Sequence, residues 1–134
     1  MIVVDTNIVA YALIDGEHTG QSRALWQADP DWRLPVFWRY EFLNVLAAFV
    51  RRGGMDRQRA SRLWTAARGW CHPMECTVDG AAALRLAIDQ DLSAYDAQFV
   101  VLAQLLGIPL VSEDARLSQR CSETVVSMAE YLAQ

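Results

Sequence analysis

Residues 1–13 read MIVVDTNIVAYAL, and this stretch decides the fold. Ile2, Val3 and Val4 form an uninterrupted β-branched run, the pattern of a strand buried on both faces. Such a strand belongs in the middle of a parallel sheet. It stops at Asp5, and Thr6 and Asn7 add two more oxygen-bearing side chains at the same point. In parallel sheets, ligands bind beyond the carboxyl ends of the strands. Asp5 therefore marks where a site is expected.

A second segment repeats the pattern. IPLVSED, residues 108–114, is a buried strand that also stops at acids, Glu113 and Asp114. Between and around these strands the apolar spacing is helical. A short helix is expected in NIVAYAL and another in GEHTGQSRALWQA, followed by a strand in RLPVF. From Trp38, the residues Phe42, Val45, Leu46, Phe49 and Val50 recur at three- and four-residue spacing up to the glycine stop Gly53-Gly54. Asp56 and Asp79 each stand as caps before a further helix, and Ser93 caps SAYDAQFVVLAQLLG, which ends at Gly107. A brief helix from Ala115, a small strand TVV and a capped tail SMAEYLA complete the chain. Strands alternating with helices predict an α/β three-layer sandwich, a short, mostly parallel central sheet with helices on both faces.

The 134 residues suit one domain spanning 1–134, and an apolar fraction of 53% is enough for a real core. Asn44, Gln104, Gly107 and Pro109 interrupt the apolar runs before they reach membrane-spanning length. With the first buried strand starting at Ile2, there is no room for a cleavable leader, so a cytoplasmic location is expected. Three cysteines, an odd number, suit reduced thiols. CHPMEC, residues 71–76, has too few companion ligands elsewhere for a four-ligand zinc site.

The net charge of −4 argues against a nonspecific nucleic-acid coat protein. All 12 basic residues are arginine, and Arg51, Arg52, Arg57, Arg59, Arg62 and Arg68 crowd into one segment. A solvated helix face explains such a run, and contact with a phosphate backbone is the alternative.

Glu41, early on the third helix, and Asp96, in the first turn of the Ser93-capped helix, can reach the same mouth as Asp5 and Asp114. Each also has a structural explanation. Asp96 stands at capping-box spacing from Ser93, Asp114 can cap the helix after it, and Glu41 can be a surface acid. If the four converge, charges ~4 Å apart repel by roughly 4 kcal/mol at an effective dielectric of 20. A hard divalent cation, Mg²⁺ or Mn²⁺, removes that conflict, and its chemistry suits phosphate-ester hydrolysis. Haloacid-dehalogenase-type phosphatases and two-component receiver domains also place acids at strand ends, but both need a lysine. This chain has none. It also lacks a Gly-rich phosphate loop and a GxSxG elbow.

VVDTNIVAYAL, FWRYEFLNVL and LSAYDAQFVVLAQLLGIPLVSEDARL, in that order over residues 2–126, resemble a PIN domain, in particular the VapC-type ribonuclease toxins of toxin–antitoxin pairs. The resemblance implies that Asp5, Glu41, Asp96 and Asp114 are the acids that hold the metal and act in catalysis. It assigns supporting places to Thr6, Asn7, Asn44 and Ser112, and leaves Glu113 open. It further implies cleavage of single-stranded or loop RNA with one or two Mg²⁺ or Mn²⁺ ions, water attacking in line to leave a 5′-phosphate and a 3′-hydroxyl. Expected partners are the RNA substrate, a cognate antitoxin and a second copy in a homodimer, for which exposed aromatics among the five tryptophans would serve. Arg51, Arg52, Arg57, Arg59 and Arg62 are candidates for RNA-backbone or partner contact. Two other readings stay open at this level: a PIN-fold binding module acting through an antitoxin–DNA complex with little nuclease activity, and an RNA-processing nuclease with no antitoxin.

Overall fold

The computed structural model describes residues 1–134. Five strands form one sheet: β1 (Ile2–Val4), β2 (Trp32–Pro35), β3 (Glu75–Cys76), β4 (Leu110–Val111) and β5 (Val125–Val126). Their order is β3-β2-β1-β4-β5, and every pairing is parallel. The fully buried run Ile2–Val4 takes the central place its composition demands.

Eight α-helices connect the strands: α1 (Thr6–Leu13), α2 (Thr19–Ala28), α3 (Trp38–Arg52), α4 (Arg57–Cys71), α5 (Gly80–Gln90), α6 (Ala94–Leu106), α7 (Ala115–Arg120) and α8 (Met128–Leu132). They pack in two groups. In one, α1 contacts α2 and α3, α2 contacts α8, and α3 contacts α4. In the other, α5 packs on α6, which lies directly against β1, β2 and β4. Helix α6 is apolar nearly all round, with Ala97, Phe99, Val100, Val101, Leu102 and Ala103 buried, as a helix on a sheet with another helix behind it must be.

The sequence-expected caps are in place. Asp56 accepts from Gln58 N, Asp79 from Ala81 N and Ser93 from Asp96 N. Gly107 ends α6 at φ +67°, its N–H reaching Gln104 O while Ile108 N reaches Ala103 O, the paired bonds of a Schellman stop.

Three features differ from the sequence expectation. The sheet is wholly rather than mostly parallel. The segment His72–Cys76 contributes a 3₁₀ turn and the edge strand β3, which pairs Glu75 with Leu34 and Cys76 with Pro35. Two residues, one of them charged, carry no strand periodicity, so only the neighbouring β2 reveals them. Finally, none of the five tryptophans is exposed. Trp26, Trp32 and Trp70 cluster with centroids 5.0–5.4 Å apart, and Trp38 packs on Phe42 and Trp64. Their large apolar surface goes to the core, and the exposed rings are Tyr40, Tyr95 and Phe49. No helix is long and apolar enough to cross a membrane.

A Cβ at residue 107 would meet nothing within 4 Å, so Gly107→Ala changes only the backbone term. Chemical denaturation should show a loss of about 1 kcal/mol for the left-handed conformation, with an unchanged denaturant slope. A neutral result would mean that the α6 stop does not need glycine.

Candidate active site: four carboxylates at four helix starts

The register of β1 and β4 builds the site. Val4 lies opposite Val111, so the next residue on one strand, Asp5, stands beside the next on the other, Ser112. The Ser112 hydroxyl donates to Asp5 Oδ2. Asp5 Oδ1 caps α1 by accepting from Ile8 N at 3.2 Å. Asp5 is only 8% exposed. Burial pushes its carboxyl up to about 6, and the charge of Glu41 adds to the rise. Hydrogen bonds from Ser112, Ile8 and the Asn7 backbone act in the opposite sense.

Glu41 occupies the first turn of α3, and its Oε1 accepts from Thr6 Oγ1 at 2.7 Å. Its carboxyl is raised by burial and further by the charge of Asp96, with the Thr6 bond opposing. Asp96, in the first turn of α6, is raised by burial and then by the charge of Asp114. The Ser93 hydroxyl accepts from Asp96 N at 3.0 Å, but no bond returns from Ser93 N to the Asp96 carboxylate. The capping box is half closed, which leaves that carboxylate to the cleft. Asp114 caps α7, its Oδ1 accepting from Arg116 N and Leu117 N at 2.9 and 3.0 Å. Asp114 N in turn donates to Ser112 Oγ at 3.1 Å.

The four acids thus form an electrostatic chain in which Asp114 raises Asp96, Asp96 raises Glu41 and Glu41 raises Asp5. They line one cleft of about 350 Å³ together with Thr6, Asn7 and Asn44. Ser112 lies beneath it, 1% exposed, holding Asp5 and the Asp114 backbone. Glu113, whose place was open, turns away: its Oε1 accepts from Met128 N at 2.7 Å at the start of α8. The sequence reading did not foresee the apolar walls, Val45, Ala48, Phe99 and Leu117. They read as core positions, and only their spacing from Asn44 and Asp96 on the same helices could have assigned them to the cleft. Arg51, Arg52, Arg57, Arg59 and Arg62 do not line it. They are exposed, and none pairs with a carboxylate.

Hard, anionic oxygens are the donors that Mg²⁺ and Mn²⁺ select. Asp114 Oδ2 and Glu41 Oε2 have no partner within the chain, which leaves them available as ligands. No three of the acids close around one point at coordination range.

A wholly parallel α/β sheet with an acidic cleft at its carboxyl edge defines the class, and the chain belongs to the PIN domain family, whose model matches residues 2–122. It is 34% identical over 133 residues to a VapC ribonuclease of Mycobacterium bovis and to ribonuclease VapC9 of Mycobacterium tuberculosis, an alignment covering 94% of this chain and 98% of each relative. Among solved structures it resembles PAE2754 from Pyrobaculum aerophilum, with a TM-score of 0.76 and 21% identity over 98% of this chain and 86% of that one. It also resembles FitAcB from Neisseria gonorrhoeae, with a TM-score of 0.70 and 15% identity over 96% and 99%.

A carboxyl raised by folding makes the native state bind more protons than the unfolded chain between the two pKa values, so stability falls as pH rises through that window. For Asp5 the window runs from about 4 to about 6 and is worth on the order of 3 kcal/mol. Glu41 and Asp96 shift in the same direction. The metal-free protein should therefore melt higher near pH 5 than at pH 7.5, and Asp5→Asn should narrow the gap. Equal gaps in both proteins would mean that Asp5 is solvated and not buried as described.

Proposed function

We propose that this protein is a metal-dependent endoribonuclease and the toxin of a toxin–antitoxin pair. The observation that carries the reading is the convergence of Asp5, Glu41, Asp96 and Asp114, from four separate helix starts, on one cleft at the carboxyl edge of a parallel sheet. Membership of the PIN family and the ribonuclease names of its VapC relatives support the same activity.

In this reading the four acids hold Mg²⁺ or Mn²⁺, which when bound supplies Lewis-acid stabilisation of the phosphate and activation of a water for hydrolysis. Ser112 and the α1 N-terminus fix both oxygens of Asp5, so that carboxylate is already oriented before a cation arrives. Thr6 fixes one oxygen of Glu41 in the same way and leaves the other free. Asn44, one turn beyond Glu41, presents an amide at the exposed rim to the substrate strand, and Asn7 orders the turn after β1. Hydrolysis by an activated water needs no 2′-hydroxyl, so the choice of RNA over DNA rests on contacts outside the four acids.

The proposed partners are an RNA strand, a cognate antitoxin and a second copy of the chain, with cytoplasmic action. Leu84 and Ile88, 58% and 70% exposed one turn apart on α5, support a homodimer. The cleft-lining stripe Glu41, Asn44, Val45 and Ala48 continues on α3 to Arg51 and Arg52, so these two offer unpaired positive charge about 16 Å along the axis from Glu41. Arg57, Arg59 and Arg62 extend that charge onto α4.

Cleavage of RNA should require added Mg²⁺ or Mn²⁺ and stop in excess EDTA. Asp5→Asn, Asp96→Asn and Asp114→Asn should each lower it by at least about 10- to 100-fold, the range for mere outer-shell partners of a metal. Undiminished cleavage in EDTA would overturn the proposal. Neutralising Arg52, Arg57 or Arg59 should weaken RNA binding for every sequence and flatten its salt dependence by about 0.7 log units per lost contact with a single strand. If the slope stays unchanged and only antitoxin binding falls, these residues belong to the partner interface.

A further inference from the structure

Beside the acid cleft lies a second open slot of about 420 Å³, lined by Phe37, Tyr40, Glu41, Asn44 and Tyr95. Glu41 and Asn44 belong to both, so the two spaces are continuous across one rim. The slot is aromatic where the cleft is acidic. Phe37 and Tyr95 stack with centroids 4.9 Å apart and planes 12° from parallel, and Phe37 meets Phe99 of the cleft wall edge-on at 6.1 Å.

Tyr40 and Tyr95 are 66% and 60% exposed in a chain whose tryptophans are all buried or half-buried. Each directly precedes one of the acids, Tyr40 before Glu41 and Tyr95 before Asp96, and all four residues lie in the first turns of α3 and α6. Successive helical residues point about 100° apart, so each helix start presents a carboxylate to the cleft and a ring to the slot. Of the four tyrosine hydroxyls only that of Tyr131 has a partner within the chain, leaving those of Tyr40 and Tyr95 free.

We propose that this slot is a base-stacking subsite, in which Tyr40 and the Tyr95–Phe37 pair hold the nucleobase next to the phosphate that occupies the acid cleft. The inference rests on the ribonuclease reading and adds to it a site for a base. Exposed aromatic faces are how proteins hold single strands without reading their sequence, because every base has a π-face. A duplex keeps its bases stacked on one another, so the slot selects unpaired RNA. Continuity with the cleft favours a base over a protein partner, since an extended nucleotide places its ring and its phosphate one step apart. The free tyrosine hydroxyls offer hydrogen bonds to the sugar or the base edge.

The test uses a uridine 12-mer carrying one 2-aminopurine, whose fluorescence falls when the base stacks, titrated with the full chain in EDTA so that no strand is cut. Binding of the wild type should quench the probe. Tyr40→Ala, which leaves the Phe37–Tyr95 stack intact, and Tyr95→Ala should each weaken binding by about 5- to 150-fold and abolish the quench. Tyr40→Phe and Tyr95→Phe, which keep the ring, should stay within about twofold of wild type. Cleavage of unlabelled RNA in Mn²⁺ and sedimentation of each variant run alongside. If wild type cleaves RNA while both alanine variants bind and quench as it does, the subsite is wrong and the nuclease stands. If the variants change only the oligomeric state, the slot is a contact between copies and the proposal falls. If the wild type neither binds nor cleaves, the nuclease reading falls and the subsite with it.

Discussion

The site depends on one pairing. β1 and β4 lie side by side in parallel with Val4 opposite Val111, which brings Asp5 and Ser112, 107 residues apart in the chain, into hydrogen-bond contact. From that point the chain leaves both strands through helices, α1 starting on Asp5 and α7 on Asp114. A one-residue slip between the strands would put Asp5 beside Val111 and leave a buried carboxylate with no hydroxyl partner. The continuous β-branched run and the apolar Leu110 and Val111 oppose any such slip, because both strands are buried on both faces.

Capping and site-building are the same act here. Each acid stands at the start of a helix, where the helix contributes roughly half a positive charge. At Asp5 and Asp114 one oxygen satisfies the helix's orphan N–H groups, and Asp114 keeps the other unpartnered. The dipoles also offset part of the repulsion among the four, but magnitudes limit how much. A helix terminus stabilises a nearby anion by about 0.3–1 kcal/mol, while close carboxylates repel by several times that at an effective dielectric of 20. The remainder, together with burial, appears as the raised carboxyls of Asp5, Glu41 and Asp96. No arginine lines the cleft, and the offset is limited to the charge of Arg116, which lowers the Asp96 carboxyl from outside it. Arg116 and Arg120 instead reach Asp91, the left-handed residue that ends α5.

Much of this was legible in the sequence because it is written in local chemistry. Ile2–Val4 could only be a central strand, and Asp56, Asp79, Ser93 and Gly107 mark helix ends by what their own side chains, or the lack of one, allow. Their positions early on helices showed only that Glu41 and Asp96 could reach the mouth, and it was the resemblance to a PIN domain that assigned them to the site. What the sequence hid is set by distant neighbours. Glu75 and Cys76 become a strand only because β2 offers them an edge, with Arg39 and Trp38 holding the Glu75 carboxylate. Glu113 looks like a site acid beside Asp114, yet the N–H of Met128, fifteen residues later, takes its carboxylate away. The tryptophans, among which exposed rings would have suited a partner surface, are buried or half-buried, since ring size alone does not say which face of a helix the sheet will cover.

The electrostatics also constrain how a nucleic acid can arrive. A chain of net charge −4 with four acids in its cleft opposes a phosphate backbone there, and on the proposed reading a bound cation would lift that opposition. Attraction at longer range would come chiefly from the cluster of unpaired arginines on α3 and α4, and it weakens as salt rises. Stacking on Tyr40 and Tyr95 has no such dependence, because it is carried by apolar contact between rings. The two contributions therefore separate with ionic strength. On the proposed reading, the arginines would govern encounter at low salt and the aromatic slot would retain what affinity is left at high salt. On the proposed reading the acids contribute to binding only through a cation, so in EDTA the aromatic slot and the exposed arginines carry what binding remains.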